Sequence, residues 1–298
     1  MKLLSSSENK ARLALTFITV IWGSTFPLSK IVLEELPPFL YLFIRYTLAA
    51  LIMLLLFRQK IFTGWRMAAK HSLPIGSILG LAYYGQTIGV SLTTAGKAGF
   101  LTGLSVVLVP LFQAIWFKKK PSKVSIICAL SAALGLAFLS GLFNPSTNNV
   151  GFNFGDLCVL FSAIMFAIHI LLIDNLPPDC PRESLVSQQF IYTALFALPL
   201  SIGFESIPTT MPSWNIWLIV LFLVLLATVL AFAVQVWAQQ HLNAINTAII
   251  LILEPVFAAI FSWIWLNEQL GVIELIGAVL IVISMLGSSL DGENSPSS

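Results

Sequence analysis

Charge is what this chain of 298 residues has least of: Asp, Glu, Lys and Arg make up 9% of it, against roughly a quarter in an ordinary soluble domain. So few charges cannot cover a water-soluble globular surface, and 58% of the residues are hydrophobic. Cysteine is scarce as well. Cys128, Cys158 and Cys180 have no metal-ligand spacing, and an odd count of three makes no disulfide framework. No metal, redox centre or other cofactor is expected. The formal net charge of +2 is too small to imply a nucleic-acid partner. Long polar segments are missing too, which leaves no room for a second, soluble domain.

What the chain does have is apolar runs: Leu13–Leu33, Pro38–Phe57, Leu73–Leu92, Ala98–Phe117, Ser122–Phe143, Phe154–Ile173, Ser184–Ile202, Trp214–Ala238, Ile245–Leu266 and Gly271–Leu290. A span takes ~20 residues, so ten spans use about 200 and leave short loops. Lipid offers no water to backbone groups, and uninterrupted runs of this length exclude the alternation of a barrel strand. The expected fold is an all-α polytopic membrane protein of ten transmembrane helices, with the lipid bilayer as its solvent. Lys2, Lys10 and Arg12 precede the first run as in a signal peptide, but no small-residue cleavage site follows, so this run reads as a retained span.

Loop charge sets the expected topology. Fourteen of the fifteen basic residues lie at or before Lys123, leaving only Arg182 beyond it. They gather in the N-terminal tail, in the second loop (Arg58, Lys60, Arg66, Lys70) and in the fourth (Lys118, Lys119, Lys120, Lys123), which alternate as cytoplasmic segments should. Loops assigned to the outside, Glu34–Pro37, Asn144–Val150 and Glu205–Ser213, contain no basic residue. Both termini are therefore expected in the cytoplasm, with the protein in the cell (inner) membrane.

Internal similarity points to a duplication. Leu36-Pro37-Pro38 after the first span recurs as Leu176-Pro177-Pro178 after the sixth, and Val109-Pro110 in the fourth recurs as Glu254-Pro255 in the ninth. Five helices per copy is an odd number, so the second copy enters the membrane upside down: two inverted five-helix repeats, the plan of many secondary transporters. The expected boundaries are a tail at 1–12, a first repeat at 13–143, an external linker at 144–150, a second repeat at 151–290 and a tail at 291–298.

Three stretches resemble the EamA family of the drug/metabolite transporter superfamily. They are Ile21-Trp22-Gly23-Ser24-Thr25-Phe26, Thr94 to Leu104 with Gly96-Lys97-Ala98-Gly99 at its centre, and Leu253-Glu254-Pro255-Val256-Phe257-Ala258-Ala259 leading to Leu266-Asn267-Glu268. The resemblance covers nearly the whole chain. It implies an inverted-repeat carrier without a nucleotide-binding domain that moves small metabolites, often exporting amino acids or related compounds. It also places spans one, three, four, six, eight and nine around a central cavity. The chain departs from equal halves where Lys118-Lys119-Lys120-Pro121 stands against Asn267-Glu268-Gln269, so the two repeats are not expected to play equal roles.

Ionisable groups inside spans are costly and are functional candidates by default. Glu254 is the sharpest: a carboxylate in the ninth span before a helix-weakening proline, placed to bind substrate or to exchange a proton, or else to stay protonated or hydrogen-bonded and tie two helices together. Arg45 offers two parallel hydrogen bonds to a substrate carboxylate or to a protein acid. Lys97, between spans three and four, is a candidate gate. His169 in span six is a candidate proton relay, or a packed histidine. Lys30 is expected to snorkel and Asp156 to cap the sixth span. Trp22, Phe26, Tyr83, Tyr84, Gln86, Gln235, Trp237 and Gln239 supply rings and amides suited to a small metabolite. Trp65, Trp116, Trp214 and Trp217, near span ends, are expected at the membrane interface. Glycines at four-residue spacing, 76 and 80, 85 and 89, 99 and 103, are expected to let helices approach closely.

An intramembrane hydrolase finds no support: Gly155-Asp156 is preceded by Asn153-Phe154, no Gly-x-Ser-x-Gly occurs, and Gly96-Lys97 lacks the phosphate-loop pattern. The sequence reads as a secondary transporter of a small molecule, with protons as a candidate coupling partner. The alternative is a channel or a structural membrane subunit, and no signal bears on oligomeric state.

Overall fold

The computed structural model describes residues 6–116, 118, 122–139, 153–206, 208–267 and 271–294. The expected linker at 144–150, Lys119, Lys120, Glu268 and the last residues of the C-terminal tail lie outside them.

All regular structure among the described residues is helical. In chain order the helices are α1 (Ser6–Val32), α2 (Pro38–Leu92), α3 (Ala95–Gly103), α4 (Ser105–Trp116), α5 (Lys123–Leu139), α6 (Phe154–Asp174), α7 (Arg182–Phe204), α8 (Trp214–Val224), α9 (Ala231–Ala238), α10 (Ala244–Leu251), α11 (Leu253–Leu266) and α12 (Val272–Asn294). A π-helical turn, Leu225–Leu230, joins α8 to α9. Seven of these helices or helix pairs are long and apolar enough to cross a membrane: α1, α2, α3 with α4, α6, α7, α8 through α9, and α10 with α11. In α5 and α12 the apolar stretches are shorter, Lys123–Phe138 and Leu275–Ser284.

The long α2 is not one rod. Backbone angles at Phe57 leave the helical region (φ −124°, ψ 24°). A straight helix would hold Phe39 and Tyr84 roughly 65–70 Å apart, yet their ring centroids are 5.7 Å apart, and those of Tyr46 and Tyr83 5.3 Å. The element therefore doubles back, and its two apolar runs, Pro38–Phe57 and Leu73–Leu92, lie side by side.

Helix ends follow local chemistry. Proline stands at the first position of α2, where the missing N–H costs nothing. Thr94 and Asn243 cap α3 and α10 by accepting from the N–H groups of Lys97 and Asn246. Asn153 and Asp156 form a reciprocal capping box on α6. Asn267 closes α11 in the left-handed region at φ 53°, which asparagine tolerates better than most residues.

Polarity runs inside out. Arg45, Asp156, His169, Gln188 and Gln189 are buried, while Leu13, Leu55, Phe62 and Ile202 point outward. This suits a protein whose surroundings are lipid, where the outer face needs no charge and interior polar groups bond to one another. Trp116 and Trp214, near helix ends, are also exposed.

Small residues let the helices touch. A Cβ on Gly89 would lie 2.2 Å from Val159 Cγ2 and 2.8 Å from the Gly155 carbonyl, so α2 and α6 meet backbone to backbone there. Gly23 does the same for α1 against α11, where a Cβ would lie 2.4 Å from Phe257 Cβ. Gly76 abuts α7, and Gly99 and Gly103 abut α11, whereas Gly80 faces only Tyr84 of its own helix.

Candidate functional site

The residues around the middle of the bundle line a partly open cavity whose empty space, counted out into its mouth, is about 580 Å³. Its walls come from α1 (Trp22, Thr25), the second arm of α2 (Tyr83, Gln86), α3 and α4 (Thr102, Gly103, Ser105), α6 (Phe166, Ile170), α9 (Phe232, Gln235), and α10 with α11 (Leu251, Ile252, Glu254).

Two interrupted helices form one side. The interruption between α3 and α4 is at Leu104, and that between α10 and α11 is at Ile252. Pro255 has no N–H to give the carbonyl of Leu251, four residues back, so the helix loses a bond where it borders the cavity. No proline explains the break at Leu104, since Pro110 stands six residues later. A Cβ on Gly103 would lie 2.7 Å from Pro255 Cγ, so the two interrupted helices cross where both break. Caps and breaks recur 149 and 148 residues apart, from Thr94 to Asn243 and from Leu104 to Ile252. The proline pair at 110 and 255 is thus three to four residues out of this structural register.

Among the described residues, Glu254 is the one Asp, Glu, Lys or Arg that lines the cavity. Among the described residues no protein donor reaches its carboxylate. Around it stands a connected aromatic wall. Ring centroids are 5.5 Å apart for Trp22 and Phe232, 5.2 Å for Tyr83 and Phe166, and 6.0 Å for Tyr83 and Phe232. Trp22 is held in place by its indole Nε1, which donates to the Ala227 carbonyl at 2.9 Å.

That carbonyl belongs to the π-helical turn. Thr228 donates to the Leu223 carbonyl five residues back (2.9 Å) and accepts from Arg45 Nε (2.7 Å). An extra residue in one helical turn leaves backbone groups free for outside partners, and such turns concentrate at functional sites. Arg45 itself does not line the cavity. Its guanidinium donates through Nη1 to the Tyr41 hydroxyl at 3.0 Å and lies 5.3–5.9 Å from the ring centroids of Tyr41, Tyr46 and Tyr83. Cation–π attraction substitutes for a carboxylate partner here. Nη2 is buried without a partner.

Five of the residues singled out in the sequence therefore meet at the cavity: Trp22, Tyr83, Gln86, Gln235 and Glu254. The others sit elsewhere. Phe26 is packed in the core against α3 and α11. Tyr84 turns away and donates to the Thr193 carbonyl at 2.6 Å. Gln239 stands behind Gln235, accepting from it at 3.2 Å and donating to the Ile170 carbonyl at 2.9 Å. His169 packs edge-on against Phe232 and pairs with Gln189 Oε1 at 2.8 Å, one layer behind the wall. Trp237 borders a separate crevice of about 710 Å³ with Met53, Phe57, Arg182 and Glu183.

Lys97 is engaged at the far end of α3, where its ammonium meets Asp156 Oδ2 at 2.6 Å. Asp156 also accepts from Thr93 Oγ1 and from the Asn153 N–H, both at 2.8 Å, so it does more than cap α6. Lys30 donates to the Thr93 carbonyl. This cluster ties α1, α2, α3 and α6 together. Two further carboxylates cap helices across the molecule: Glu205 accepts from the Phe39 and Leu40 N–H groups (2.6 and 2.9 Å), and Glu35 from Ser213 N and Oγ (2.6 and 2.8 Å).

Sequence reading missed Phe166 and Phe232, two of many phenylalanines in apolar runs, and the hydroxyls Thr25, Thr102 and Ser105. Phe166, Phe232 and Ser105 carry no local mark, and Thr25 and Thr102 lie in the family-like stretches with nothing to say which way they face; only the helix rotation turns them inward.

Comparison with known proteins agrees with this architecture. Residues 10–141 match the family model described as the EamA-like transporter family, and residues 153–290 match it a second time. An uncharacterized transporter of Archaeoglobus fulgidus is 34% identical over 284 residues, covering 94% of this chain and 86% of the relative. The uncharacterized transporter YoaV of Bacillus subtilis is 25% identical over 277 residues, covering 91% and 94%. A protein crystal structure superposes with a TM-score of 0.76 at 20% identity, covering 97% of this chain and 99% of that one, and so shares the fold. Two family-model matches spanning most of the sequence, together with a full-length relative above 30% identity, place this chain in the EamA-like transporter family.

Proposed function

We propose that this membrane transporter is a secondary carrier that exports amino acids or related small compounds by alternating access, with Glu254 as the binding or coupling group. The observation that carries this reading is the cavity itself, set where two interrupted helices cross and holding one carboxylate without a protein partner. Broken helices at a central site are how inverted-repeat carriers expose backbone to a substrate.

The proposed plan is ten spans in two inverted repeats, 13–143 and 151–290. It is supported by the doubling back of α2, by the repeat of caps and breaks, and by two successive family matches. Polar pairs support it as well. Glu205 with Phe39, Glu35 with Ser213, Lys97 with Asp156 and Lys30 with Thr93 all join ends that a ten-span count puts on one side. Lys60 with Glu183 (2.8 Å) and Ser184 with the Ile61 carbonyl (2.9 Å) join ends on the other. The positive-inside bias makes this second side cytoplasmic, with both termini on it, in the cell membrane.

Counterflow in proteoliposomes tests the proposal. Vesicles are loaded with pooled unlabelled amino acids and metabolites, and entry of labelled candidates is followed with and without a pH gradient. Saturable exchange is the expected result; linear, non-exchanging flux would favour a channel, and no flux with any pool would favour a structural subunit. A Glu254→Gln carrier with unchanged rate and pH response would remove Glu254 from its assigned role.

A further inference from the structure

We infer that the central cavity selects small organic amines carried as cations, with an apolar or aromatic body and no carboxylate, over amino acids of the same skeleton. The inference rests on the carrier reading above and, of the amino acids or related compounds named there, favours related amines over the amino acids themselves.

The argument starts from unmatched charge. Among the described residues that line the cavity there is one carboxylate, Glu254, and no Lys, Arg or His. Glu254 is partly buried, and a carboxylate drawn out of bulk water with no protein partner either takes a proton or accepts a counter-charge from outside; a cationic ligand supplies the second. Hydrogen-bond capacity is skewed in the same direction. Gln235 donates one of its two amide N–H groups to Gln239 and keeps a buried Oε1 with no partner. Glu254 and Gln235 Oε1 are thus two acceptors that a ligand bringing N–H donors and positive charge would satisfy, beside the hydroxyls of Thr102 and Ser105.

The rest of the wall fits the body of such a molecule. Trp22, Tyr83, Phe166 and Phe232 present ring faces and edges in one connected group, braced by the Trp22 bond to the π-helical turn. Aromatic faces attract ammonium groups, most strongly where water is excluded, and pack equally well against an aromatic substituent.

An amino acid brings a second demand. Its carboxylate would enter a cavity that already holds Glu254 and offers no cation. The neighbouring basic side chains are committed. Lys97 meets Asp156, and Arg45 donates to Thr228 and Tyr41 from behind the Tyr83 ring, 5.3 Å from its centroid. One donor, Arg45 Nη2, remains without a partner, and a carboxylate would reach it only with Tyr83 displaced. That route is the rival the experiment must separate.

The test is binding of three probes with one ring and different charge to the purified full-length transporter in detergent: phenethylamine (cation), phenylalanine (zwitterion) and phenylacetate (anion). Displacement of radiolabelled phenethylamine in a scintillation proximity assay avoids its passive leak across vesicles. Expected are saturable phenethylamine binding, phenylalanine weaker by about tenfold or more, and no competition by phenylacetate. Glu254→Gln should weaken phenethylamine by about 30-fold or more. Because that variant changes a partly buried carboxylate and its folding must be checked, Gln86→Arg provides a second readout: a cation added to the wall should move preference toward phenylalanine. Phenylalanine binding as tightly as phenethylamine, with loss in Arg45→Gln, would overturn the inference in favour of a zwitterion site. Counterflow of some other metabolite with no amine binding would also overturn it while leaving the carrier reading intact. Absence of both binding and counterflow would remove the carrier reading itself.

Discussion

Removing one partner of the Lys97–Asp156 pair should be far less symmetrical than its geometry suggests. The Asp156 side chain is 0% exposed and that of Lys97 is 17% exposed, so only the lysine has a route to water. In Lys97→Met the carboxylate is stranded with the Thr93 hydroxyl and the Asn153 N–H as remaining donors. Breaking a buried pair from one side costs about 3–5 kcal/mol, and those two bonds bring the expectation down to about 2–4 kcal/mol. In Asp156→Asn the shape and one acceptor survive, and the ammonium can turn outward on its flexible stem, for about 1–2 kcal/mol. The double variant should cost less than the sum, with a coupling of about 1–2 kcal/mol, because it leaves no stranded charge. Thermal unfolding of the detergent-solubilised protein reads the ranking. At roughly 2–4 °C per kcal/mol for a chain of this size class, Lys97→Met should melt about 4–16 °C below the parent. Asp156→Asn melting lower than Lys97→Met, or strictly additive losses in the double variant, would refute the reasoning.

Gly89→Ala should destabilise by about 1–3 kcal/mol, since its Cβ would collide with Val159 and the Gly155 carbonyl; Gly203→Ala, with nothing within 4 Å, is the neutral control. Trp22→Phe keeps the ring but loses the bond to Ala227, so it should cost about 1 kcal/mol and raise the transport KM as the wall loosens. Arg45→Lys should behave nearly as badly as Arg45→Gln in thermal stability, because an ammonium cannot hold both Thr228 and Tyr41 while lying among three tyrosine rings. Finally, cysteines placed at Glu35 or Met211 should react with an impermeant thiol reagent in right-side-out vesicles, and cysteines at Gln59 or His241 should not; the reverse pattern would invert the topology.

How much of the site was legible depended on the residue. Glu254 announced itself because a carboxylate in an apolar run needs a reason, and Trp22 because it sits in a family-like stretch. Tyr83 and Tyr84 read alike, but successive helical residues point about 100° apart, so one lines the cavity and the other bonds to Thr193 on α7. Gln235 and Trp237 parted for the same reason, the first facing the cavity and the second the crevice beside Arg182. The π-helical turn adds to the difficulty, because its extra residue rotates α9 after it and no periodicity in the sequence marks it.

Composition alone determined the solvent: with so few charges and so many long apolar runs, the chain had to be helical in lipid, because no other structure spanning this length satisfies its backbone. Loop charges and the recurring Leu-Pro-Pro likewise reflect local chemistry that survives in one dimension. Tertiary structure decided pairing and facing. Lys97 finds Asp156 across 59 positions, Arg45 finds Thr228 across 183, and the phenylalanines 166 and 232 turn inward. In a bilayer, apolar residues are content facing either lipid or core, so hydrophobicity cannot say which way a helix is turned; only the packing of small residues and the bonding of buried polar groups chooses, and both depend on partners far away in the chain.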